Sequence, residues 1–116
     1  GTRCELRMPD PTCNPYLALA AMVAAGVDGI KRNLTPAPAI QRNIFDMTFR
    51  ERRRHKIKEL PGTLQGAVQQ FSKDRVMVDA LGSHISEHFI AAKTEEFEAY
   101  RIEVHDWELD QYLTEY

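Results

Sequence analysis

Residues 3–7 of the chain read Arg-Cys-Glu-Leu-Arg. As a strand, whose side chains alternate between faces, this run puts Arg3, Glu5 and Arg7 on one face and Cys4, Leu6 and Met8 on the other. A strand carboxylate is a preorganised oxygen ligand for Mg²⁺, which takes one or two protein carboxylates and shares its other positions with water and phosphate. Arginine offers a planar fork that binds carboxylates or phosphates bidentately. A row of Arg, Glu and Arg can therefore hold a metal–phosphate complex beside an anionic substrate. The competing reading is a salt-bridged, solvent-facing edge strand, the commoner fate of so short a pattern.

Three other groups invite the same question. His84 and His88 stand four residues apart, one helical turn, which is a metal-ligand spacing. No third ligand accompanies them and no H-E-x-x-H pattern is present, so ordinary surface histidines are the better reading. His55 and His105 form no pattern. Residues 50–58, "RERRRHKIK", hold six Lys or Arg against one acid. Without an alternating aromatic platform, this run reads as a solvated loop or subunit contact rather than a nucleic-acid surface. Finally, Leu109, Tyr112, Leu113 and Tyr116 form one stripe behind Trp107, a pattern that docks on a partner or packs on its own domain.

These residues need elements to position them. Asn14 is a good N-cap and Pro15 suits the first helical position, which starts a helix over roughly 15–32. That helix is apolar on every side through Ala25, and a helix apolar all round is one that is buried all round. "NLTPAPAIQRN" is a loop, and "IFDMTFRERRRHKIKEL" reads as a short helical turn within a long surface loop. Thr63 caps a helix with Leu64, Ala67, Val68 and Phe71 on one stripe. A short helix over 74–81 ends at Gly82. Ser83 is expected to cap the longest helix, 84–103, with Ile85, Phe89, Ala92, Phe97 and Tyr100 toward the core. Asp106 is expected to cap the last one. The lone strand needs ladder partners from elsewhere. Both it and the all-apolar helix point to the end of a longer protein.

Composition narrows the class. The 116 residues make at most one domain, and 43% hydrophobic content belongs to a folded chain. A net charge of −2 gives no whole-protein field for nucleic acid or an anionic membrane, although residues 87–116 hold nine acids against two bases. The longest apolar run, "YLALAAMVAAGV", has 12 residues, too few to span a bilayer. Cys4 and Cys13 form no C-x-x-C pair, so reduced thiols in a cytosolic setting are expected, with no signal peptide.

The stretch "RCELRMPDPTCNPYLALAAMVAAGVDGIK" resembles the segment near the C-terminus of type I glutamine synthetases. There an R-x-E-x-R strand runs into P-D, then N-P-Y-L-A and an alanine-rich helix ending A-G-hydrophobic-D-G-I. The likeness continues through "RNIFDM", "LPGTLQGAV" and "WELDQYLTEY", so it covers essentially the whole chain without large gaps. It implies an α+β fold in the whole enzyme. Residues 1–116 would be the C-terminal portion of the catalytic domain, mainly α-helical with one N-terminal β-strand.

By that resemblance Glu5 matches a metal-ligand glutamate for Mg²⁺ or Mn²⁺, Arg7 the arginine that binds L-glutamate, and Arg3 an arginine near the ATP phosphates. The implied reaction is ATP-dependent phosphorylation of the glutamate γ-carboxylate, after which ammonia displaces phosphate. Phe45 falls where one branch of the family carries an adenylylated tyrosine, and it has no hydroxyl to modify. The implied assembly is a cytoplasmic homo-dodecamer of two hexameric rings. Its C-terminal helix, with Trp107, Leu109, Tyr112, Leu113 and Tyr116, reaches into the opposite ring. The rest of the site is expected upstream of Gly1, so the chain alone is expected to be inactive. Two alternatives stand beside this reading: a related ligase joining glutamate to another amine, and a non-catalytic helical interaction module.

Overall fold

The structure, a computed structural model, describes residues 1–113. Helix α1 spans Pro15–Lys31, close to the expected range. Asn14 Oδ1 accepts the Tyr16 and Leu17 N–H groups at 3.0 and 3.3 Å, filling two donors that the first turn leaves open. At its other end the Asn33 and Leu34 N–H groups donate to the carbonyls of Ile30 and Gly29. Asn33 is left-handed there, with φ 49°. This is a Schellman turn, which satisfies the last carbonyls of α1.

A 3₁₀ turn, Ile44–Asp46, and a short helix α2, Phe49–Arg54, occupy the connection that follows. A capping box starts α2. Thr48 Oγ1 accepts the Glu51 N–H at 3.3 Å, and Glu51 Oε2 accepts the Thr48 N–H at 2.8 Å. Arg42 pairs with Glu51 at 3.2 Å and Arg52 with Glu59 at 2.9 Å, bracing the basic stretch against its own flanks.

Helix α3, Leu64–Lys73, is capped by Thr63 as expected, and α4, Arg75–Leu81, follows after Asp74. Gly82, at φ 78° and ψ 156°, is a one-residue joint in a conformation that only glycine adopts readily. It leads directly into α5, Ser83–Arg101. Here the expected cap is corrected: Ser83 is the first helical residue and Gly82 takes the N-cap position with no side-chain bond. The same one-residue offset holds at α6, Asp106–Tyr112, where His105 is the N-cap. Glu108 accepts the His105 N–H at 3.0 Å, and Asp106 instead places its charge in the first turn, at the positive end of the helix dipole.

α1 packs on α4, and α3, α4 and α5 pack on one another. Phe71 of α3 meets Phe89 of α5 edge-to-face with ring centres 5.6 Å apart. Ser86 is buried and donates from Oγ to the Val78 carbonyl at 3.1 Å, tying α5 to α4. That bond sets the rotation of α5. Its packed face carries Ser86, Phe89, Ile90 and Phe97, while Ile85, Ala92 and Tyr100, expected toward the core, are exposed.

The helical group has little core of its own. Among the described residues only Met47, Val68 and Ser86 are buried. The accessible surface is 10706 Å², against about 6,500 Å² for a compact protein of this mass. The radius of gyration is 18.7 Å, where a compact domain of this length has about 13 Å. The expected N-terminal strand is also corrected: the described residues contain no strand, and residues 1–8 carry no regular structure. A strand exists through its ladder, and no second strand is present to pair with it. The described chain is therefore mainly helical, and none of its helices is long and apolar enough to cross a membrane.

Candidate functional site

The segment of Arg3, Glu5 and Arg7 is joined to α1 by a short, well-bonded turn. Asp10 Oδ1 accepts both the backbone N–H and the hydroxyl of Thr12, each at 2.7 Å. The Cys13 N–H closes the turn onto the Asp10 carbonyl at 3.0 Å. The Thr12 backbone bond, and after it the hydroxyl bond, hold the Asp10 carboxyl below the ordinary aspartate range. Next comes Asn14, the cap of α1, so the run 10–14 fixes where the segment leaves the helix. Sequence reading passed over Asp10, although its Asp-x-Thr spacing is the signal of such a turn.

Within the segment the Arg7 Nε–H donates to Glu5 Oε1, forming an ion pair. An i, i+2 contact is one that a helix does not make and that same-side residues of an extended run do. The structure thus brings Glu5 and Arg7 together as alternation predicts, even without a ladder. Arg3 is exposed, and so are Cys4, Leu6 and Met8, so neither side of the segment is covered. The Arg7 and Glu5 side chains are 87% and 51% exposed, which makes the pair worth at most about 1 kcal/mol. Such a pair separates at little cost when each partner is offered a stronger ligand.

What this arrangement can do chemically follows from the donor set. Glu5 is an accessible carboxylate and fits as one oxygen ligand of a divalent cation. Among the described residues no three His, Cys, Asp or Glu side chains gather into a metal-binding group. The cation's other positions would be filled by water, phosphate or ligands outside the described residues. Arg7 and Arg3 can each fork onto a carboxylate or phosphate.

The remaining candidates lie elsewhere. Phe45 sits in the 3₁₀ turn, 94% exposed, its N–H bonded to Asn43 Oδ1 at 3.1 Å. His84 and His88 lie with ring centres 4.3 Å apart, tilted to each other, on the exposed side of α5, and His88 Nδ1 lies 2.8 Å from the His84 carbonyl. On α6, Trp107 meets Tyr112 edge-on at 6.1 Å, and both are exposed together with Leu109 and Leu113. Tyr116, the last expected member of this stripe, lies outside the described residues.

Residues 1–112 match the family model described as "Glutamine synthetase, catalytic domain". The chain is 63% identical over all 116 residues to a glutamine synthetase of Thermus thermophilus, of which it covers 26%. It is 47% identical over 116 residues to one of Clostridium saccharobutylicum, again 26% of that protein. With one of Methanococcus voltae the figures are 46% over 113 residues, 97% of this chain and 25% of the relative. The chain thus spans about a quarter of the length of the curated relatives it matches.

Proposed function

The chain belongs to the glutamine synthetase catalytic-domain family, and from that premise we propose that it is the C-terminal portion of an α+β enzyme ligating ammonia to L-glutamate. The reaction uses ATP: the glutamate γ-carboxylate takes the γ-phosphoryl group, and ammonia then displaces phosphate to give glutamine. The observation that carries this reading is the family match over residues 1–112, a range that includes Arg3, Glu5 and Arg7.

In the proposed site Glu5 is one carboxylate ligand of Mg²⁺ or Mn²⁺. When bound, the cation neutralises charge on the transferring phosphoryl group. Arg7 leaves its exposed pair with Glu5 and forks onto the carboxylate of L-glutamate, holding the substrate beside the phosphoryl donor. Arg3 lies toward the ATP phosphates and stabilises the charge that develops there. The Asp10 turn and the Asn14 cap hold this row at a fixed exit from α1. Glu5 has no partners for a three-residue metal group among the described residues, and these residues are proposed to act only within the whole enzyme.

The proposed enzyme is a cytoplasmic homo-dodecamer of two hexameric rings, and the exposed aromatic stripe of α6 with Tyr116 is its contact to the opposite ring. Phe45 offers no hydroxyl for adenylylation, so that control is absent. In the full-length enzyme Glu5→Ala should lower ATP-dependent glutamine formation more than roughly 100-fold. Turnover at the parental rate would refute the ligand role.

A further inference from the structure

Between residues 37–40 and the end of α2 lies a cavity of about 610 Å³, within the rough 300–1,000 Å³ of small-molecule sites. One wall, residues 37–40, is apolar and is stiffened by Pro38. The lining also holds Arg42, Arg54, His55 and Lys56. The nearby acids are engaged elsewhere, Glu51 with Arg42 and Glu59 with Arg52. Arg54 and Lys56 have no acidic partner among the described residues, so two full positive charges border the space.

The backbone adds an independent observation. α2 ends in the same Schellman turn as α1, with the Lys56 and Ile57 N–H groups donating to the Arg53 and Arg52 carbonyls. Its left-handed position, φ 56°, is held by Lys56 rather than by glycine or asparagine. A lysine is strained there, because its Cβ crowds the following carbonyl. Strained backbone at a pocket is a mark of function.

We propose that this cavity binds an organic phosphate, its phosphate held by Arg54 and Lys56 and a flat or apolar body lying on residues 37–40. Two unpaired cations suit a phosphate dianion, whereas a single carboxylate is satisfied by one arginine. His55 supplies a further ring N–H. None of these residues belongs to the Arg3–Arg7 segment, and the inference stands independently of the proposed synthetase chemistry.

The test uses the natural full-length protein and the probe 4-nitrophenyl phosphate, with binding measured by equilibrium dialysis at low salt. The double variant Arg54→Ala, Lys56→Gly should lose at least roughly tenfold in affinity. It should melt no lower than the parent, because glycine relieves the left-handed position. Ala39→Leu, which fills the apolar wall and keeps every charge, should weaken binding as well. Parental affinity in both variants would overturn the proposal, as would equal binding of 4-nitrophenol, which lacks the phosphate. So would no binding by the parent at about 10 mM probe, a concentration that reveals even millimolar affinity.

Discussion

α3 buries Val68 and sets Phe71 edge-on against Phe89 of α5, whereas α1, much richer in apolar side chains, leaves Tyr16, Leu19, Val23 and Ile30 exposed. α3 has one apolar stripe and two neighbouring helices, α5 and α4, packed against it. α1 is apolar on all sides, and α4 covers only the side that carries Leu17, Ala21 and Met22. The difference teaches that apolar content alone does not make a core. A helix can be buried only as far as there are neighbours to bury it, and among the described residues α4 is the helix that packs extensively on α1.

That contrast can be broken most sharply at Val23. In the 116-residue chain Val23→Asp should shift stability by less than about 0.5 kcal/mol, because the side chain is in water. In the full-length protein, where further polypeptide is available to cover α1, the same change should cost more than about 3 kcal/mol. Paired urea melts of the two proteins measure this, and equal small effects would mean that the outer face of α1 stays wet in both.

On the α3 side the expected effect is smaller but does not need the rest of the enzyme. Phe89→Ala in the 116-residue chain should cost about 2 kcal/mol, the ring being half-buried. A double-mutant cycle with Phe71→Ala should give a coupling of about 0.5–1.5 kcal/mol for the edge-to-face pair. No coupling would remove the α3–α5 contact from the account.

The smallest effect concerns the local turns that join these regions. The Thr48 backbone N–H, and after it the Thr48 hydroxyl, hold the Glu51 carboxyl below the ordinary glutamate range. A carboxyl depressed by folding stabilises the fold above its unfolded value of about 4.3 and loses that contribution as pH falls through the lower folded value. The α2 capping box should therefore persist from neutral pH down past the ordinary glutamate range and open only on further acidification. A carboxyl titration of Glu51 by NMR checks this, and Thr48→Ala should return it toward the ordinary value.

Much of the helical layout was legible because it depends on neighbours in sequence. Asn14 before Pro15, Thr63 before Leu64 and Gly82 between two helices are local devices, and the structure uses all three. The Glu5–Arg7 juxtaposition was legible for the same reason, since alternation alone puts them on one side. Ser83 and Asp106 misled by one residue: each is a good cap type, yet each is the first helical residue and the cap sits one step earlier, at Gly82 and His105. The cavity at the end of α2 left no periodic signal. Its cations come from Arg42 and from Arg54–Lys56, which only the path of the loop brings around one space.

By itself the sequence determined the capped helices, the same-side pairing of Glu5 and Arg7 and the family to which the chain belongs, because each rests on bonds or matches between residues close along the chain. Tertiary structure alone decided three things. Ser86, by bonding to Val78, chose which face of α5 packs. Residues 3–8 found no ladder and formed no strand. The apolar helix α1 was covered on one side only. Each of these depends on a partner on another element or outside these residues, and hydrogen-bond ladders and buried faces exist only where such a partner is present.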